Sequence, residues 1–293
     1  MTDIKRQTKY VIITPARDEE KYIVNTLDSV VSQTIRPEEW VIVNDGSSDG
    51  TGAIIEDYAS RHTWLNVIHR EDRGCRTGGY GVMDAFYDGY NALKAKNWDF
   101  LVKLDGDLGF DPPYFERCFS HFQEDPGLGI GGGFLIHPPD QELRLEENPS
   151  FHVRGATKIY RRQCWTAIGG LVKAPGWDTI DEVKANMLGW STRTFRDLEL
   201  IHYRPTGLAY GHWTDSVKGG RAAFISGYHP VFMLIKCLRR IFQEPFFVNG
   251  TGLMYGFVRS YFDGTQQIND PALIAYIRKQ QVKKLLFMKS IWK

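Results

Sequence analysis

The sequence lacks any hydrophobic run approaching the ~20 residues a helix needs to cross a bilayer, and its N-terminus has no apolar signal-peptide core. Neither a transmembrane helix nor a secretory leader is therefore expected. Cysteine is sparse: Cys75, Cys118, Cys164 and Cys237 are scattered, without metal-ligand spacing or a disulfide framework, as in a reduced cytosolic protein. Neither sign of charge dominates, with 36 Lys and Arg against 35 Asp and Glu, so no global field favours nucleic acid. No G-x-G-x-x-G follows the first strand-like run and no Walker A sequence occurs, which disfavours a dinucleotide dehydrogenase or a P-loop NTPase. What is present is ordinary for a globular chain: 293 residues, 42% hydrophobic and 24% charged, enough for one large α/β domain or two small ones. Aromatic residues, many of them beyond residue 150, suit a sugar, lipid or interface surface and suit an aromatic core equally well.

One stretch organises the rest. Phe100-Leu101-Val102-Lys103-Leu104-Asp105-Gly106-Asp107 starts as a short, mostly apolar run and ends in two carboxylates either side of a glycine. Such a run reads as a buried strand of a parallel sheet, and ligands in open α/β sheets bind just beyond the carboxyl ends of strands. Residues at i and i+2 of extended chain point the same way, so Asp105 and Asp107 can reach one hard cation, or a cation and a sugar hydroxyl, while Gly106 admits a ligand close to the backbone. The plainer reading is a solvated turn.

Strand and helix patterns alternate before it. Strands are expected at Tyr10–Thr14 (ended by Pro15), Trp40–Val43 and Leu65–Ile68. Helices carry Ile23, Leu27, Val30 and Val31, then Ile54, Ile55, Tyr58 and Ala59, then Met83, Phe86, Tyr90 and Leu93. Four repeats predict a parallel, right-handed α/β sheet. Asp45, ending the second strand, can accept hydrogen bonds from a base or ribose or form an Asx-turn; Asp49, before Gly50-Thr51, fits a helix cap better.

Three segments carry a family resemblance: Val11-Ile12-Ile13-Thr14-Pro15-Ala16-Arg17-Asp18-Glu19-Glu20, Val43-Asn44-Asp45-Gly46-Ser47-Ser48-Asp49-Gly50-Thr51, and Leu104-Asp105-Gly106-Asp107. Their order and spacing resemble the N-terminal signatures of family-2 glycosyltransferases. The resemblance implies a GT-A fold (Rossmann-like, with a mostly parallel central sheet flanked by helices), a nucleotide-diphosphate sugar donor, a divalent metal (Mn2+ or Mg2+) and inversion at the anomeric carbon. It implies a nucleotide site at Thr14, Pro15, Ala16, Arg17, Glu19 and Asp45. Asp105 and Gly106 would lie near ribose and metal, and Asp107 would bind the metal. Arg73 and Arg76, in a glycine-rich loop that departs from the family pattern, are candidates for the diphosphate.

Further on, Asp111-Pro112-Pro113 opens a helix with Tyr114, Phe115, Cys118, Phe119 and Phe122 on one face. Leu128–Ile136 reads as a glycine-laden strand whose glycines allow close backbone approach or tight packing. A polar loop spans 137–150, a basic strand Val153–Arg162, and a short helix ends at Gly169-Gly170. Arg161 and Arg162 suit a phosphate or, better, a solvated edge. At Trp177-Asp178-Thr179-Ile180-Asp181-Glu182 a helix starts with acids that its dipole favours. A general base is the alternative, since inverting transfer needs a carboxylate to take the acceptor proton. The family opens this helix with Glu-Asp; here Trp177 stands in the Glu position. Asp178 and Asp181 are the candidates, three residues apart on one face. His202 matches a family histidine that helps bind metal or diphosphate, with His212 competing.

The resemblance covers residues 1–205, leaving 206–293 as a mostly helical extension. Lys218-Gly219-Gly220-Arg221 is expected to close over the diphosphate after the donor binds. Helices at Pro230–Phe242 and Ala272–Trp292 mix apolar and basic residues. They suit an anionic membrane surface, packing on the catalytic domain, or a second copy in a homo-oligomer. The expectation is a cytoplasmic transferase, peripheral to the membrane or not, with a glycan or lipid-linked acceptor in polysaccharide, glycolipid or cell-surface glycan synthesis. A polyprenyl-phosphate acceptor is the enzymatic alternative and a non-catalytic nucleotide-sugar-binding protein the alternative of another class.

Overall fold

The computed structural model describes residues 8–72, 74, 80–137, 151–204 and 211–292. The candidates Arg73 and Arg76, and the loop 138–150, lie outside the described residues. The first half alternates as its periodicity requires: β1 (Tyr10–Ala16), α1 (Ile23–Val31), β2 (Glu39–Asn44), α2 (Thr51–Arg61), β3 (Leu65–His69), α3 (Tyr80–Ala92) and β4 (Phe100–Leu104). Next come β5 (Leu108–Gly109), α4 (Tyr114–Glu124), β6 (Leu128–Ile136), β7 (Thr157–Arg161), α5 (Arg162–Ile168), α6 (Trp177–Met187) and β8 (Ser191–His202). The chain closes with α7 (His212–Ile225), α8 (Pro230–Ile241), α9 (Val248–Arg259) and α10 (Pro271–Leu285).

The strands form one mixed sheet in the order β3-β2-β1-β4-β7-β6-β8-β5. The β3-β2-β1-β4 half is parallel; β7 is antiparallel to β4 and β6, β8 is parallel to β6, and β5 is antiparallel to β8. Only Asp105-Gly106-Asp107 separates β4 from β5, yet β4 is fourth in the sheet and β5 eighth. The sheet therefore curls back on itself, and Thr26 of α1 pins β5 by exchanging hydrogen bonds with Leu108 (2.8 Å each way). That curl carries the end of β8 to the loop after β4.

Period-2 alternation divides the side chains between two cores. Tyr10, Ile12, Trp40, Ile42, Phe100 and Val102 face the layer that holds α1, α2 and α4. Val11, Ile13, Val41, Val43 and Leu101 face α3 and α5. A third core joins Ile180 and Val183 of α6 to the C-terminal helices, through Phe224, Met233, Leu253, Leu273 and Ile277.

Several expectations change. Pro15 lies inside β1 rather than ending it, because pairing with β4 stops at Ile13 while pairing with β2 runs on to Ala16. The strand expected at Val153–Arg162 shortens to Thr157–Arg161. Arg161 does not face solvent or a phosphate: its guanidinium donates to the carbonyls of Leu128, Phe122 and Asp125, tying β7 to α4. Lys218-Gly219-Gly220-Arg221 is part of α7, with Gly220 and Gly256 letting α7 and α9 approach backbone to backbone. The last helix ends at Leu285, not Trp292. In β6 the glycines serve packing: a Cβ at Gly132 would overlap the Thr157 carbonyl and one at Gly133 would meet the Leu198 carbonyl. Among the described residues no helix is long and apolar enough to cross a membrane.

Candidate active site

A cleft of about 340 Å³ opens at the carboxyl ends of β1, β2 and β4. Pro15, Ala16, Arg17, Glu19, Asp45, Asp105, Gly106, Asp107, Asp178 and His202 line it, together with Val82, Lys103, Arg154, Gly155, Ala156 and Trp177. Residues predicted from five separate segments thus meet in one space.

The loops after β1 and β2 are locked together. The Asp45 amide donates to the Ala16 carbonyl (2.8 Å), and Arg17 Nη1 donates to the Asp45 carbonyl (2.8 Å). Arg17 Nη2 reaches the Asp72 carboxylate (2.6 Å), and Arg70 holds Asp45 Oδ1 at 2.7 Å. Asp49 stands one residue before Gly50, the N-cap of α2, and forms an Asx-turn there by accepting from the Thr51 amide (3.0 Å) and hydroxyl rather than capping the helix itself. Thr14 is not at the cleft: its buried hydroxyl accepts from the Trp40 indole at 2.9 Å, which fixes the two strands instead.

The two central carboxylates have different surroundings. Asp105 is paired with Lys103, a nearly buried lysine that also donates to the Gly155 carbonyl (2.7 Å). Burial pushes the Asp105 carboxyl above its ordinary value, Asp107 adds to the rise, and Lys103 opposes it. Asp107 Oδ2 lies 3.3 Å from His202 Nε2, brought there by pairing of Leu108 with His202, and 3.7 Å from Arg204 Nε. Arg204 in turn pairs with Glu19.

Buried polar atoms are normally bonded. Among the described residues, five buried side-chain polar atoms have no hydrogen-bond partner, and three belong to this cleft: Arg17 Nε, Asp107 Oδ1 and His202 Nδ1. Unused acceptors on Asp107 and His202 fit a divalent cation, whereas Asp105 Oδ1 is already taken by Lys103. No three His, Cys, Asp or Glu side chains are grouped as a complete metal-binding set among the described residues. A cation there would draw its remaining ligands from a bound diphosphate or water.

The two acids of α6 part company. Asp178 lines the cleft, and its backbone carbonyl accepts from Lys158. Asp181 is buried away from the cleft. It accepts from Lys158 Nζ (2.9 and 3.0 Å) and from the Tyr160 hydroxyl (2.6 Å). Burial raises its carboxyl to about 6 although Lys158 pulls it down. Glu182, also buried, takes Lys158 (2.8 Å), the Val153 amide (2.7 Å) and His152 (3.0 Å). Trp177 covers both buried lysines, with Lys103 Nζ 5.3 Å and Lys158 Nζ 5.5 Å from its ring. His212 opens α7, exposed and outside the cleft.

Lys103, Arg154, Trp177 and Arg204 were not singled out from the sequence as site residues. A lysine inside an otherwise apolar strand was the available signal for Lys103. Arg204 had none, since its position depends on the curl of the sheet.

A family model described as "Glycosyl transferase family 2" matches residues 11–170. Among curated proteins, the chain is 28% identical over 141 residues to the uncharacterized glycosyltransferase EpsJ of Bacillus subtilis (47% of this chain, 38% of that one). It is 27% identical over 125 residues to chondroitin synthase of Escherichia coli (43% and 17%) and 35% identical over 124 residues to glycosyltransferase GlyA of Streptococcus pneumoniae (41% and 16%). The chain therefore spans well under half the length of these relatives. Among solved structures it resembles S. aureus TarS 1-349 (TM-score 0.53, 15% identity, 95% of this chain and 79% of that one). It also resembles the mannosyltransferase PcManGT from Pyrobaculum calidifontis, solved with GDP-Man and Mn2+ (TM-score 0.55, 17% identity, 98% and 78%). At such identities these likenesses establish the GT-A architecture alone.

Proposed function

Because the chain belongs to glycosyl transferase family 2, we propose that it transfers a sugar from a nucleoside-diphosphate donor to a hydroxyl acceptor, with inversion and with the aid of a divalent cation. The observation that carries this reading is the convergence of Asp107, His202 and Arg17, each with an unused buried polar atom, on a cleft that Asp178 lines as well. The GDP-Man and Mn2+ bound by the similar mannosyltransferase support the same choice of ligands.

In this reading Asp45 and the Pro15–Arg17 turn hold the nucleoside. Asp107 and His202 hold the cation, which when bound offsets the charge that develops on the leaving diphosphate. Lys103 keeps Asp105 in place and adds fixed positive charge at the cleft wall. Asp178 accepts the proton of the acceptor hydroxyl as its oxygen bonds to the anomeric carbon. The bond from that carbon to the diphosphate oxygen breaks, and its electron pair leaves with the diphosphate. Asp181 is a supporting group beneath Asp178, not a second base. Polysaccharide or another cell-surface glycan is the proposed product class, in keeping with the chondroitin synthase likeness.

The test is calorimetric titration with a set of nucleoside diphosphates and nucleotide sugars, with and without Mn2+. One nucleotide is expected to bind in a metal-dependent way, and its sugar donor to hydrolyse slowly. Asp107→Ala should lose that binding. Absence of metal-dependent binding, or retention of binding and turnover in Asp107→Ala, would overturn the assignment.

A further inference from the structure

Charge is segregated along this chain. From Pro230 to Lys293 there are ten lysines and arginines against three acids, which leaves the preceding 229 residues with more acids than bases. Exposed large hydrophobic residues are segregated in the same way. Of the seventeen among the described residues, thirteen lie between Val231 and Met288. Singly exposed apolar side chains are commonplace; a concentration of them on one part of a surface marks a contact.

The arrangement is ordered by helix geometry. Met233 and Cys237 turn one side of α8 into the third core, while Val231, Leu234 and Leu238 run along its outer side at spacings of three and four. That stripe continues past the end of the helix to Phe242. The turn that leads back into α9 adds Phe246 and Phe247, so three exposed phenylalanine rings crowd one hairpin tip. Phe247 holds φ at +67°, a conformation that glycine or asparagine adopts more readily than a bulky residue. Phe287, 96% exposed beyond α10, does the same at φ +56°. Arg239 and Arg240 are exposed just before the tip and make no ion pair with any described residue.

We propose that the α8–α9 hairpin is a docking surface for an anionic lipid bilayer, with the phenylalanine tip entering the headgroup–acyl boundary and Arg239 and Arg240 meeting the anionic headgroups. Charge complementarity selects this occupant. A second copy of the chain would set two strongly basic surfaces against each other, whereas an anionic membrane neutralises them. The third core links this surface to α6, because Ile180 and Val183 pack with Met233 and Leu253. A chain docked through the hairpin thus has the helix that bears Asp178 fixed relative to the membrane.

The experiment is co-sedimentation of the full chain with vesicles of phosphatidylcholine alone and of phosphatidylcholine with phosphatidylglycerol. No donor or acceptor is present, so the outcome is independent of glycosyl transfer. Binding is expected to the anionic vesicles and not to the neutral ones, and to weaken as salt is raised. The pair Arg239→Gln with Arg240→Gln should lower partitioning about thirtyfold. Phe242→Ser with Phe247→Ser should lower it at least about tenfold. All four positions are exposed, and unchanged thermal unfolding would confirm that the variants fold. Equal binding to both vesicle types, no binding to either, or unaltered binding by both double variants would overturn the proposal. So would a concentration-dependent dimer that the phenylalanine variant abolishes in a chain that ignores vesicles.

Discussion

Lys158 offers the sharpest test of how the acid-bearing helix is held. The lysine is completely buried in β7, and its ammonium contacts both oxygens of Asp181, one oxygen of Glu182 and the Asp178 carbonyl. In Lys158→Met the side-chain volume is kept and two buried carboxylates lose their cation. Breaking a buried pair from one side costs about 3–5 kcal/mol, or about 6–10 °C of Tm at about 2 °C per kcal/mol for a chain of this size. The loss should depend on pH. Asp181 is raised to about 6 even with Lys158 pulling it down, so without the lysine it rises further. An acid whose folded pKa exceeds its unfolded value binds more protons when folded, and its contribution to stability falls as pH rises through the folded pKa. Near pH 5 Asp181 is protonated with or without the lysine, and its share of the deficit is small. Near pH 8 the native chain keeps an ionised pair, Lys158 itself being raised above its ordinary value and still charged. The variant there must bury a lone charge. Thermal unfolding of both chains from pH 5 to pH 8 should show the Tm gap widening. A gap below about 1 °C, or one constant with pH, would refute the electrostatic account. Adding Asp181→Asn to the variant should recover part of the loss.

Asp178→Asn should leave metal-dependent donor binding within about twofold and lower transfer by about 10²-fold or more, the range general-base catalysis supplies; titration and turnover of the same sample separate the two effects. Gly256→Ala would drive a methyl group into the Val217 carbonyl across the α7–α9 contact, for a cost of about 1–3 kcal/mol in denaturant unfolding. In denaturant unfolding, Trp40→Phe, which removes the donor to the buried Thr14 hydroxyl, should cost about 1–3 kcal/mol, and Trp40→Leu should cost no more if the hydrogen bond rather than ring area is what matters.

The first half of the fold was readable because each strand there is short, apolar and closed by a turn, and each helix shows one apolar face. The aromatic face of α4 and the glycine strand β6 were readable for the same reason. The later strands were not. β8 should alternate, but its pairing with β6 slips between Gly133 and Phe134, so Phe195 and Leu198 point inward three residues apart and the period is lost. β5 has two residues and no pattern to read. In the C-terminal extension, α7 and α9 were missed because their contact face is built from Gly220, Gly252 and Gly256, residues that in sequence suggest breaks. Helices that touch through glycine show little hydrophobic periodicity, though they pack closely.

At the site, the rule that brought Asp105 and Asp107 together also applies one step earlier. Residues i and i+2 of a strand share a side, so Lys103 shares one with Asp105, and the structure pairs those two. Asp107 lies past the strand end, where its neighbours come from β8 and the chain after it rather than from β4. A similar refinement separates the acids of α6. Asp178 and Asp181 do share a helical face, but three residues advance the helix by about 4.5 Å, enough to pass from the cleft rim into the core. The sequence carries a sign of this depth in Lys158, which sits between Thr157 and Ile159 in a strand with no exposed side. A buried ammonium demands carboxylates at contact distance. The acids that satisfy it are drawn inward, leaving the remaining acid of the first turn, Asp178, in the cleft wall. Lysines at buried strand positions therefore discriminate between neighbouring acids in a way that the acids' own spacing does not.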